Sequence, residues 1–174
     1  QAVNDELGGA PAGPNRATNP AVSRRPVLIK VAPDLSFEAL DDVLALAETR
    51  ELSGIVATNT TVDRPRSDHP SIQAIYAEPG GLSGRPLARR STEVIRHLYR
   101  QTRGSLPIIG VGGIFCWEDA VEMIMAGASA VQVGTALLKG YGIFEEITVG
   151  LSRYLERKSL TLDELRGLAG RRRS

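Results

Sequence analysis

Four times along the chain a short apolar run rich in β-branched residues gives way to a segment with apolar residues at helical spacing, and this alternation restricts the fold most. "PVLIKV" at 26–31 precedes a segment in which Leu40, Val43, Leu44, Leu46 and Ala47 recur at helical spacing. A second strand is expected at about 54–57, followed by a long polar loop through Pro79 and a helix with Val94, Ile95, Leu98 and Tyr99 on one face. "LPIIGV" with "WEDAVEMIMAGA" makes a third unit, its helix ended by Gly127, and "SAVQVG" at 129–134 with "FEEITVGLSRYLERK" makes a fourth. A short terminal helix follows, with Thr161 as its N-cap.

Strands that alternate with helices are joined by right-handed crossovers into a parallel sheet, and near-continuous apolar strands suit a sheet buried on both faces. The polar and glycine-bearing residues all follow strand ends, as in a (β/α)8 barrel whose site is built from βα loops. The expected class is therefore α/β, a (β/α)8 TIM barrel of which this chain supplies the C-terminal four βα units. Half a barrel exposes two strand edges and one interior face, so it should depend on its missing N-terminal half. Residues 1–25, rich in Gly, Pro, Asn and Ala, are expected to be a loop or linker from the upstream part of the barrel, and 26–174 to be the half barrel itself.

Charge narrows the function classes. Twenty-one basic against 20 acidic residues give a net charge of +1, so no overall field draws the chain to nucleic acid. "GRRRS" at 170–174, without interleaved aromatics, is expected to be a solvated tail. One cysteine, Cys116, and two histidines, His69 and His97, argue against an internal disulfide and a metal site. No run approaches the roughly 20 apolar residues that a membrane span needs.

The residues that could carry chemistry follow the strands. "GVGG" and "VGTA" end the third and fourth strands, where barrels often hold a phosphate on backbone N–H groups. Gly112, Gly113 and Gly134 would offer amides and Thr135 a hydroxyl, although the glycines could equally make tight turns. "GGLSGRP" at 80–86 adds Ser83 and Gly84, or is a surface loop. Lys30 interrupts an apolar strand and either meets an anion or carbonyl or reaches water. Thr58, Asn59 and Thr60 could read a planar substrate, or close a turn on themselves. Asp41 and Asp42 are expected on a solvated helix face, His97 partly buried, and Trp117 packed at a helix start.

Taken together, "RPVLIKVAPDL", "IVATNTTVDRP", "GGLSGRPL", "LPIIGVGGI" and "AGASAVQVGTAL" resemble the C-terminal half of the dihydroorotate dehydrogenase family, flavin-dependent enzymes of pyrimidine synthesis. "TNTT" followed by "RP", with "GGLSGRPL", is closest to the quinone-dependent class. Gly134 stands where that class usually has tyrosine, as in the soluble classes.

The resemblance implies FMN across the barrel mouth and oxidation of dihydroorotate to orotate with quinone as acceptor. Lys30, Thr58, Ser83, Gly84, Gly112, Gly113, Gly134 and Thr135 would bind FMN, with Gly113 and Gly134-Thr135 at its phosphate. Asn59 and Thr60 would bind substrate. The family's catalytic base, a serine or cysteine, would lie upstream of residue 1, so this chain alone is expected to lack turnover. A peripheral position on the cytoplasmic side of the cell membrane would depend on an upstream amphipathic segment. Phosphate-binding isomerases or synthases without flavin share "GVGGI" and "VGTA" but leave "TNTT" and "GGLSGRP" unexplained. A third alternative is a catalytically inactive flavin-binding fragment.

Overall fold

The computed structural model describes residues 25–170. Apart from Arg25 and Gly170, the expected N-terminal loop and basic tail lie outside the described residues. In chain order the elements are β1 (Leu28–Val31), α1 (Phe37–Thr49), β2 (Gly54–Ala57), α2 (Pro70–Tyr76), α3 (Ala88–Thr102), β3 (Ile108–Val111), α4 (Trp117–Ala126), β4 (Ala130–Gln132), α5 (Gly142–Lys158) and α6 (Leu162–Leu165). The four strands form one parallel sheet in the order β1-β2-β3-β4, the order in which right-handed βα units accumulate around a barrel.

The register divides the strand residues between two environments. Val31 aligns with Ala57 and Ala57 with Gly110, and these face a core that includes Ile55, Ile95, Leu98, Ile108 and Met123. Full burial of each large aliphatic side chain stabilises by about 1.5–3 kcal/mol. One residue earlier, Lys30 aligns with Val56, Val56 with Ile109 and Ile109 with Ala130. Lys30, Ala130 and Gln132 are exposed and Leu28 is 40% exposed, so this face is uncovered. Burial on both faces is thus not what the sheet shows. Its open face matches that of a half barrel.

Three further expectations need correction. The stretch between β2 and α3 is not a plain polar loop: Pro70, with its preset φ at the helix start, opens α2. That excursion is closed at its base, where Thr61 and Leu82 exchange backbone hydrogen bonds of 3.1 and 2.8 Å. Arg64 reinforces the closure by donating to the carbonyls of Thr61, Tyr76 and Gly80. Leu46 is exposed because the buried stripe of α1 runs through Leu40 and Ala47 with Val43 and Leu44 beside it, and Leu46 falls off that stripe. β4 spans Ala130–Gln132 rather than 129–134.

Asp41 does more than face solvent, since its carboxylate is 2.7 Å from Nε2 of the half-buried His97 and ties α1 to α3. Asp42 is exposed, as expected. Trp117 opens α4 and tilts against Tyr154 of α5. Gly127 follows α4 at φ 127°, and Thr161 caps α6 through a reciprocal pair of bonds with Glu164. Among the described residues, no helix is long and apolar enough to cross a membrane, and no three His, Cys, Asp or Glu residues cluster as a metal site.

Candidate functional site

Strand β1 and the ends of β2, β3 and β4 with their following loops meet around one cavity of about 220 Å³. Lys30, Thr58, Asn59, Thr60, Ser83, Gly84, Gly112, Gly113, Gly134 and Thr135 all line it, joined by Leu87, Val111, Ile114, Phe115 and Gln132. Residues up to 105 positions apart in the chain therefore meet because parallel strands deliver their C-terminal ends to the same rim.

Each wall has a local cause. β1 carries Lys30 on its uncovered face, one residue before the buried Val31, and no ion pair involves its ammonium among the described residues. At the end of β2 the Thr58 N–H donates to the Val111 carbonyl and the Asn59 N–H to the Val31 carbonyl, both at 2.8 Å. These bonds stitch the loop after β2 to both neighbouring strands. Thr58 is 2% exposed, with its hydroxyl shared with Ser91, whereas Asn59 and Thr60 are exposed and free to face a ligand.

Gly112 and Gly113 adopt φ of 120° and 83°. A Cβ on Gly112 would collide with Ser91 and Leu87, and one on Gly113 would lie 2.5 Å from Ala88 Cα. Glycine here lets the loop after β3 press against the start of α3, a packing demand independent of any ligand. The amides stay available nonetheless: among the described residues the N–H groups of Gly113, Gly134 and Thr135 donate to no partner. The Thr135 hydroxyl donates to Ser83 Oγ at 2.9 Å and latches the loop after β4 to the loop after β2.

Leu87, Val111, Ile114, Phe115 and Gln132 are the lining residues that sequence reasoning missed. Phe115 is fixed from below, since Asp119 accepts from the Phe115 and Cys116 N–H groups at 2.8 and 3.2 Å. That capping pattern, acidic three residues into a helix, was readable in "FCWED". Burial pushes the Cys116 thiol up to about 11, so it is no thiolate nucleophile at neutral pH. Asp34 lies outside the cavity. Burial works against its charge, but hydrogen bonds from the Thr61 hydroxyl and the Val62 and Asp63 N–H groups hold its carboxyl below the ordinary value.

Lys30 is the one titratable side chain among the described lining residues. The cavity thus offers a cation at one strand end, an amide and hydroxyls beside it, and unpaired backbone donors across the rim. This is a donor set for an anionic ligand with a planar, hydrogen-bonding body.

Comparison with known proteins agrees with this geometry. The dihydroorotate dehydrogenase family profile matches residues 15–155. Dihydroorotate dehydrogenase (quinone) of Trichodesmium erythraeum is 44% identical over 154 residues, which cover 85% of this chain and 41% of that protein. The protein of the same description from Cyanothece sp. is 46% identical over 143 residues, covering 79% and 38%. Among solved structures, DHODH from Eimeria tenella in complex with ferulenol superposes with a TM-score of 0.77 at 37% identity, over 86% of this chain and 40% of that one. The chain spans about two fifths of the length of these relatives. With four parallel βα units and the family's motifs gathered at their C-terminal rim, the chain belongs to the dihydroorotate dehydrogenase family.

Proposed function

We propose that this chain is the FMN-binding and substrate-reading half of a barrel that oxidises (S)-dihydroorotate to orotate in pyrimidine synthesis, with quinone as electron acceptor. The observation that carries the reading is the convergence of all ten expected ligand residues on one cavity. The residues present fit the cofactor: unpaired amides at Gly113, Gly134 and Thr135 suit a phosphate, and the unpaired Lys30 ammonium suits a flavin edge that becomes negative on reduction. When bound, FMN supplies the two-electron acceptor for the substrate's hydride.

The chain's own residues then have separate tasks. Lys30 favours reduction through its fixed positive charge. Asn59 offers both a donor and an acceptor to the amide-like edge of the pyrimidine ring, and Thr60 adds a hydroxyl. Ser83 and Thr135, bonded to each other, hold two rim loops at a set spacing. No carboxylate, histidine or cysteine is among the described lining residues. As the family resemblance implies, the base that removes the substrate's proton is assigned to the complementary half of the barrel, as is peripheral contact with the membrane.

Reconstitution tests the reading. The purified chain mixed with FMN should retain flavin absorbance near about 450 nm after desalting. Mixed also with the N-terminal half of a relative, it should reduce a soluble quinone analogue when dihydroorotate is added, and neither half should do so alone. A chain that neither retains nor quenches FMN sinks the proposal.

A further inference from the structure

Two cations at the rim have no role in the site as described so far. Arg85 directly follows Gly84, and its guanidinium carbon lies 4.7 Å from the Phe115 ring centroid; Lys139 ends the short turn Thr135–Lys139, and its Nζ lies 5.3 Å from the same centroid. Both residues are exposed, and among the described residues neither is in an ion pair. Two like charges drawn to one ring repel each other, and no neighbouring carboxylate compensates them. Such a pair is relieved by an anion.

Where that anion would sit is set by the loops. Phe115 lines the cavity two residues after Gly113, Arg85 follows the lining residue Gly84, and Lys139 belongs to the turn that Thr135 begins. Gly84 packs against both partners, since a Cβ there would lie 3.4 Å from Thr135 and 3.6 Å from the Phe115 ring. The two loops that carry the unpaired amides, together with the loop of Gly84, thus also carry the ring and its two cations.

Building on the FMN reading, we propose that Arg85 and Lys139 form a charge pair that receives the phosphate monoester of the flavin nucleotide, and that Phe115 is the positioning residue that gathers them. The ring gives both flexible side chains a common resting place at the rim. A dianion arriving there gains from both charges before the backbone amides engage it.

The test compares FMN, its phosphate-free analogue riboflavin, and inorganic phosphate on the full chain. Circular dichroism first checks that each variant is folded. Flavin binding is read by fluorescence quenching and phosphate binding by calorimetry. The double variant R85Q/K139Q should bind FMN about 10-fold or more weakly, leave riboflavin unchanged, and flatten the salt dependence of FMN binding. Phe115→Leu should shift FMN in the same direction by roughly 3-fold, and Phe115→Tyr, which keeps a ring face, should restore it. If the double variant binds FMN as the parent does, the charge pair is refuted while the flavin reading stands. If the parent binds phosphate but no flavin, and R85Q/K139Q loses the phosphate, the flavin reading fails and an anion site at Arg85 and Lys139 remains. A parent chain that binds none of the three overturns both.

Discussion

The hydroxyl oxygens of Thr58 and Ser91 lie 2.9 Å apart and are closed off from solvent, at 2% and 0% exposure. One bond thereby fastens the end of β2 to the first turns of α3, directly behind the cavity wall. Ser91→Ala leaves the Thr58 hydroxyl buried without its partner, which costs about 1–3 kcal/mol. Urea unfolding should show this loss as a lower midpoint with an unchanged slope.

Gly113→Ala should be worse, because it combines a positive φ with a Cβ driven into Ala88. The conformational penalty is about 1 kcal/mol and overpacking adds about 1–3 kcal/mol. The same unfolding measurement checks it. Loss of flavin binding without loss of stability would show that the contact with α3 yields more easily than its geometry suggests.

Lys30→Met separates folding from function. Its ammonium lies on the uncovered face with no ion pair among the described residues, so stability should move by no more than about 0.5 kcal/mol. Under the proposed function the potential of bound FMN should fall by roughly 20–60 mV, equivalent to about 1–3 kcal/mol for two electrons. Spectroelectrochemistry reads the potential directly.

Acid should loosen the α2 excursion before the core. The Asp34 carboxyl is held below its unfolded value, so its contribution is complete above the ordinary carboxylate range and is lost as pH falls through the folded value. Limited proteolysis within 62–81 should be faster at about pH 3 than at about pH 6, and Asp34→Ala should show the faster cutting already at neutral pH.

Cys116 should resist alkylation at neutral pH and react appreciably only as pH approaches about 11. A pH series with iodoacetamide, with glutathione as the comparator thiol, measures this. Modification of Cys116 at neutral pH as fast as that of glutathione would contradict the burial that raises it.

Much of this architecture could be read from residue order alone. Periodicity located all four strands and the helices α1, α3, α4 and α5, and the ten ligand residues expected from motifs surround one cavity because parallel strands bring Lys30 in β1 and the loops after β2, β3 and β4 to one rim. What escaped was set by tertiary context. α2 has no buried residue and so no apolar stripe to betray it, only Pro70 at its start. Phe115 reads as one more apolar residue, and its place at the rim depends on Asp119 below it and Arg85 and Lys139 beside it. Gly113 illustrates a shared cause: one residue answers a packing demand from α3 and keeps an amide without a partner among the described residues, and the sequence displays only the glycine.

The backbone pairing of Thr61 with Leu82 gives the chain a detour whose exit and re-entry coincide. The 20 intervening residues can accordingly be exchanged for a tight hairpin, or lengthened to carry a reporter, without re-aiming the strand before or the helix after. For engineering, this makes the segment a ready-made cassette port next to a ligand cavity.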